Sequence, residues 1–130
     1  MKAAKLNKEQ LAKKLTAHLD GATTEDMLAI IAARGGHPGA LAEAALLCVR
    51  KSADYNAGKD ADIHSVDRSD YFPLGLASHA QMLHTKTQRL LSLVRKGNEG
   101  AAFESARDTC LDLINYAGFA ADYLKREAKS

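Results

Sequence analysis

The side chains best able to do chemistry gather in the second half of the chain. Glu104, Asp108 and Asp112 recur at every fourth residue, and Asn115 follows three later. A helix turns about 100° per residue, so this spacing puts all four on one face. Carboxylates in file repel one another by roughly 0.2–0.5 kcal/mol per pair, a cost that a cation relieves. The cation could be magnesium, which takes oxygen ligands, or a basic side chain of a neighbouring helix. The preceding segment supplies the latter. Lys86 and His79 fall inside an apolar stripe of Leu76, Met82, Leu83, Leu90, Leu93 and Val94, with Arg89 at its edge. A lysine on an apolar face is costly unless its ammonium finds a partner or reaches water. Two readings follow. The acids are a solvated face making ordinary ion pairs with Lys86 and Arg89. Alternatively, acids and Asn115 line a cleft in which Glu104, Asp108 and Asp112 hold a metal, or Lys86 and Arg89 hold an anion.

Other candidates carry less. Gly35-Gly36-His37-Pro38-Gly39 precedes a helix and could cradle a phosphate. It lacks the Lys-Ser/Thr of a P-loop, so a plain turn is the simpler reading. Cys48 and Cys110 show no metal-ligand spacing and fall on apolar helical stretches, which reads as buried free thiols. His79 and His84 are five apart, not the four of a helical zinc pair. His79 reads as a hydrogen-bonded interface residue and His84 as an exposed one.

The elements that must position these residues are helical. Alanine and leucine dominate, and no stretch alternates with period two. Asn7 is the expected cap of a first helix over 8–19. A second helix follows Thr23, whose spacing to Asp26 is that of a capping box, and stops at Gly35-Gly36. The third runs from Pro38 to about Ala53, apolar nearly all round and expected at the centre of the fold. Asp54 to Gly75 reads as a long functional loop. Its adjacent aromatics Tyr71 and Phe72 suggest an end pinned to something. The fourth helix covers about 76–96 and the fifth runs from 98 or 100 to about 126. Phe103, Cys110, Leu111, Ile114, Ala117, Ala121 and Leu124 are the expected apolar face of the fifth. The sum is an all-α, single-domain bundle of about five helices over residues 1–130, with a long C-terminal helical hairpin.

Composition narrows the partners. The chain has 130 residues, 46% of them hydrophobic and 26% charged, which suits one globular domain. A net charge of +2 excludes a strongly basic coat for long nucleic acid. No apolar run approaches the ~20 residues of a membrane helix, and the N-terminus lacks the apolar core of a secretory signal. A reducing cytoplasm is expected from the reading of Cys48 and Cys110 as free thiols. The charge is unevenly spread: residues 71–97 carry four basic side chains and no acidic one, between an acidic loop and an acid-striped helix. All seven aromatics lie from Tyr55 onward.

Four segments carry a family resemblance. They are Lys51-Ser-Ala-Asp54-Tyr55-Asn56, Asp70-Tyr-Phe-Pro-Leu-Gly75, Gln81-Met-Leu-His-Thr-Lys86-Thr-Gln-Arg89-Leu90, and the run from Glu104 through Asp108, Asp112 and Asn115 to Ala117. Over residues 50–124 the chain resembles the nucleotide modification associated domain family, found mostly in bacteriophages. Residues 1–49 carry no such motif, and Ala106 and Cys110 depart from the larger side chains expected there. The resemblance implies an all-α phage protein in the cytoplasm of an infected bacterial host. It puts Lys51, Asp54, Tyr55, Lys86, Arg89, Asp108, Asp112 and Asn115 in the motifs.

The function expected is binding of a nucleotide or nucleotide-derived signal, for modified-nucleotide handling or for sequestering a host immune signal as counter-defence. Lys51, Lys86 and Arg89 would meet phosphates, and Tyr55, Tyr71 or Phe72 would stack on a base, worth about 1–3 kcal/mol. His79 joins the candidate set from its place in the stripe. Asp54, Asp108, Asp112 or Asn115 would read base edges or ribose. No cofactor is required. The alternative is a magnesium-dependent all-α nucleoside triphosphate pyrophosphohydrolase with Glu104, Asp108 and Asp112 as ligands. Its second acidic pair is poorly matched, since only Glu43 and Asp54 are available. A third class is a structural oligomerisation protein. A homo-oligomer is expected in any case, from the apolar third helix and the small residues on the fifth.

Overall fold

The computed structural model describes residues 5–18, 24–55, 68–97 and 100–129, with side chains described for all of these except 15–18 and 52–55. The protein is all-α. Among the described residues five helices follow in order: α1 (Lys8–His18), α2 (Thr24–Arg34), α3 (Gly36–Tyr55), α4 (Leu76–Arg95) and α5 (Ala101–Ala128), with a 3-10 turn at Ser69–Tyr71 before α4.

Local chemistry sets most boundaries. Asn7 caps α1 as expected: its Oδ1 accepts from the Gln10 amide at 2.8 Å, while Gln10 Oε1 accepts from the Asn7 amide at 3.1 Å. This reciprocal pair satisfies two amides that the first turn would leave without partners. Thr23, the expected cap of α2, lies outside the described residues. Gly35 and Gly36 have φ of +76° and +68°, conformations that other residues enter only at a cost. They let α2 and α3 fold back on each other. A Cβ at Gly39 would lie 3.2 Å from the Ala32 carbonyl oxygen, so this glycine sets how closely the two helices approach. The Gly35–Gly39 run is thus a corner of a helical hairpin.

The helices form two antiparallel pairs. In α2–α3, Glu25 reaches Arg50 at 3.5 Å. In α4–α5, Lys86 meets Asp112 and His79 meets Tyr123, pairings that run in opposite directions along the two helices. The two hairpins join where α3 packs on α5. Arg107 of α5 clasps Glu43 of α3 through two bonds of 3.0 and 2.6 Å, and Asn115 donates to the Ala44 carbonyl at 2.9 Å. Packed between α2 and α5, α3 buries Ala42, Ala44, Leu46 and Cys48. Helix α1 packs on no other element among the described residues.

Three expectations need correction. Helix α3 continues through Asp54 and Tyr55, so these are its last turn rather than loop; residues 56–67 lie outside the described residues. Second, α5 buries only part of its expected apolar face. Leu111 is buried and Ile114 half-buried, but Phe103, Cys110, Ala117, Ala121 and Leu124 are exposed, while Thr109 and Ala120 are buried instead. The partners decide this: Lys86, Phe72 and His79 require the acidic and aromatic side of α5, and a helix cannot turn both sides to one neighbour. Third, Leu76 and Val94 are exposed, and the inner face of α4 centres on His79.

Gly75 links this packing to the site. It begins α4 with φ +59° and ψ −131°, and a Cβ there would lie 2.6 Å from the Tyr123 hydroxyl. Gly100 begins α5 with almost the same angles, φ +59° and ψ −128°, and open surroundings. Substituting either with alanine forces a strained backbone, at about 1–3 kcal/mol. Gly75→Ala is expected to cost more than Gly100→Ala, and Tyr123→Phe to recover the difference. Urea unfolding of these variants measures it, and equal losses at the two glycines would remove Tyr123 from the account.

Candidate functional site

The seam between α4 and α5 carries two adjoining groups of polar and aromatic side chains. The first centres on Asp112. Its Oδ2 accepts from Lys86 Nζ at 3.1 Å, and its Oδ1 lies 3.6 Å from Lys51 Nζ. Lys86 is 22% exposed, so an ammonium on the apolar face of α4 has found the carboxylate it needs. Its Nζ also lies 5.7 Å from the centre of the Tyr116 ring. One carboxylate therefore ties lysines from α3 and α4 to α5.

The second group centres on His79, which is 3% exposed. Its ring stacks on Phe72 at 3.8 Å and 13° and lies 5.2 Å from that of Tyr123. Phe72 meets Tyr116 edge-on at 6.3 Å, and Tyr116 meets Phe119 edge-on at 5.7 Å. The Arg68 guanidinium sits 4.4 Å over the Phe119 ring and donates to the Cys48 thiol at 3.5 Å. Beside these rings opens a pocket of about 320 Å³, bounded by Arg68, Ser69, Phe72, His79, Phe119, Asp122, Tyr123, Arg126 and Glu127. Asp122 and Arg126 pair across one turn of α5 at 3.0 Å.

His79 Nδ1 has no hydrogen-bond partner among the described residues. Leaving a buried polar nitrogen unpaired costs roughly 1–3 kcal/mol. Burial also holds the imidazole pKa below its ordinary value, so His79 is neutral near pH 7. A neutral imidazole can turn either a donor or an acceptor to a ligand in the pocket. On the other side of the fold, hydrogen bonds from Arg107 hold the Glu43 carboxyl below the usual range and keep that clasp ionised.

The structure sorts the expected site residues. Lys51, Lys86 and Asp112 come together, and Asn115 lies on the same side of α5 but ties α5 to α3. Phe72 and His79 come together at the pocket. Arg89, Glu104 and Asp108 are exposed and join neither group, and Tyr71 is exposed and does not line the pocket. The side chains of Asp54 and Tyr55 lie outside the described residues. Among the described residues no group of three His, Cys, Asp or Glu side chains is placed to hold a metal ion. His79 is buried as an interface residue but lacks the expected hydrogen bond at Nδ1, and His84 is exposed. Cys48 is a buried thiol, whereas Cys110 is exposed.

Of the nine residues around the pocket only Phe72 and His79 were expected at a site; Arg68, Ser69, Phe119, Asp122, Tyr123, Arg126 and Glu127 were not. The signal for two was present, since Tyr116, Phe119 and Tyr123 repeat at three and four residues along one face. Arg68 has no such periodic signal. Comparisons with protein families, with curated proteins and with solved structures give no match to this chain.

Two outcomes follow. The folded state keeps His79 neutral at a pH where the unfolded chain already binds a proton, so stability falls as pH drops below about 6.5. Between pH 7.5 and 5.5, above the carboxylate range, urea unfolding is expected to show this slope. His79→Phe is expected to flatten it, and an unchanged slope would contradict the assignment. At the other group, Asp112→Ala leaves a mostly buried lysine unpaired. It is expected to cost about 1–3 kcal/mol, while Lys86→Met with Asp112→Leu recovers most of the loss. Guanidinium unfolding of the two proteins makes the comparison.

Proposed function

We propose that the chain binds a nucleotide or a nucleotide-derived small molecule in the pocket beside His79. The observation that carries this reading is a buried imidazole with an unpaired nitrogen at the wall of an aromatic pocket of about 320 Å³. That volume lies at the lower end of the ~300–1,000 Å³ typical of small-molecule sites. Its walls suit the parts of a nucleotide. Phe119 and Tyr123 offer ring surface to a base, while Phe72 backs His79 from within. Arg126, already paired with Asp122, and Arg68, already placed over Phe119 and bonded to Cys48, bring positive charge to the pocket, and their N–H groups would meet a phosphate. His79 Nδ1 is shielded from the pocket, so a base edge or ribose hydroxyl would reach it only after the imidazole or Phe72 shifts, and that contact would offset its unpaired state.

The motif resemblance also implies a link to nucleotides, but no family model matches the chain and its motif residues lie mostly outside this pocket. It had favoured Lys51, Lys86 and Arg89 for phosphate. Two of these now have other work: Lys51 and Lys86 are engaged by Asp112. The proposed site is therefore displaced along the same seam toward the start of α4 and the end of α5. Binding without turnover is the activity proposed, with modified DNA precursors and nucleotide immune signals as the two ligand sources to compare.

The test is a thermal-shift screen over nucleoside mono- and triphosphates, cyclic dinucleotides and NAD-derived nucleotides, followed by calorimetry of any hit. A ligand at 100 times its dissociation constant is expected to stabilise the protein by about 2.7 kcal/mol. His79→Ala and Phe119→Ala are expected to weaken binding at least tenfold, and Arg89→Ala to leave it unchanged. Binding that persists in EDTA without hydrolysis supports the proposal. Magnesium-dependent turnover lost on Asp108→Ala would favour the hydrolase instead, and a screen with no hit would overturn the pocket reading.

A further inference from the structure

Phe103, Cys110, Ala117 and Leu124 recur every seven residues along α5. Arg107, Ile114, Ala121 and Ala128 fall between them, giving the three-and-four spacing of a helix-pairing seam. Most of this line is uncovered: Phe103 is 60% exposed, Leu124 49%, and Cys110, Ala117, Ala121 and Ala128 are exposed as well, whereas Ile114 is half-buried and Arg107 is held by Glu43 of α3. At 1.5 Å per residue the seam runs about 38 Å. The acids of the same stretch lie off it, since Asp112 turns to Lys86 and Asp122 borders the pocket.

We propose that this face is covered by α5 of a second copy of the chain, running antiparallel about a twofold axis near residues 115 and 116. Side-chain size supports that occupant. In this register Phe103 meets Ala128 of the second copy, Cys110 meets Ala121, and Ile114 meets Ala117, so each larger side chain faces a smaller one. Leu124 meets Arg107, whose guanidinium is held by Glu43 and whose aliphatic stem is left for the contact. A parallel pairing would set Phe103 on Phe103 and Ala117 on Ala117, crowding one layer and emptying another.

Charge selects the same arrangement. The antiparallel register brings Glu104 beside Lys125 of the second copy, and symmetry repeats the pair at the other end. The parallel register brings no opposite charges together along the flanks of the seam. The pocket beside His79 opens on the α4 side of α5, away from this line. Pairing therefore leaves it accessible, and ligand binding and assembly can fail independently.

Sedimentation velocity of the full chain at micromolar concentration is expected to give twice the 14.0 kDa chain mass. Ala121→Glu, at an exposed helical position, is expected to give the single-chain mass with unchanged far-UV circular dichroism. Glu104→Lys is expected to raise the dissociation constant severalfold, and adding Lys125→Glu to restore it. Ala121→Cys reports the register: mild oxidation with diamide is expected to link the two chains through Cys110, and Cys110→Ser to abolish the link. A single-chain mass for the unaltered protein would overturn the proposal, as would an Ala121→Glu protein that still pairs. Ready Cys110–Cys110 linkage of the unaltered protein would overturn the antiparallel register.

Discussion

One carboxylate holds the described fold to a single arrangement. Asp112 accepts from Lys86 of α4 and faces Lys51 of α3, so the long C-terminal helix can take only one rotation about its axis. The constraint is strong because Lys86 is mostly buried, and an ammonium in that position without a partner is far costlier than a lost surface ion pair. Once Asp112 is fixed, helical geometry fixes the rest. Thr109, Tyr116 and Tyr123 must face α4, while Leu111 and Asn115 must turn toward α3. The surface pair between Arg107 and Glu43 reinforces this rotation but, at its exposure, could not set it.

The aromatic group depends on that rotation. Phe72 lies in the short segment before α4, and its ring is buried only because His79 lies beneath it and Tyr116 and Phe119 stand beside it. Tyr116 belongs to both groups, touching the ammonium of Lys86 and the ring of Phe72. Gly75 completes the arrangement, because any side chain there would push Tyr123 away from His79. Among the described residues, His79 Nδ1 is the one buried side-chain nitrogen or oxygen without a hydrogen-bond partner. Under the proposed function, a ligand would offset this cost.

Local features were legible in the sequence where local chemistry decides them. Helix ends at Asn7, Gly35 and Gly75 follow from caps and from glycine, and the structure agrees within about two residues at most boundaries. The need of Lys86 for an acid on α5 was also legible, because a charge on an apolar stripe states its own requirement. The inward face of α5 was not. Apolar side chains occupy much of its circumference, so hydrophobic periodicity points two ways at once. Only contacts made by residues far away in sequence, Lys86 and Phe72 above all, choose between them. The bond from Asn115 to α3 was not legible for a related reason: an amide on a polar stripe looks the same whether it serves a ligand or the Ala44 carbonyl. Arg68 was unreadable because its place over Phe119 depends on the path of the chain rather than on any period.

The three sides of α5 now have distinct demands, and this accounts for its composition. Toward α4 it needs rings and an acid, toward α3 an arginine, a leucine and an amide. The third side carries Phe103, Cys110, Ala117 and Leu124, and nothing within the described residues needs them. Fully burying a side chain the size of phenylalanine or leucine contributes about 1.5–3 kcal/mol, and a twofold axis applies every such contribution twice. Small residues at the middle of the line let two helices approach closely, while the larger ones near its ends fill the space where they diverge. A lone helix exposed to water gains nothing from that gradation of size. Two copies packed against each other would, so the same rotation that buries His79 also exposes the surface proposed for assembly.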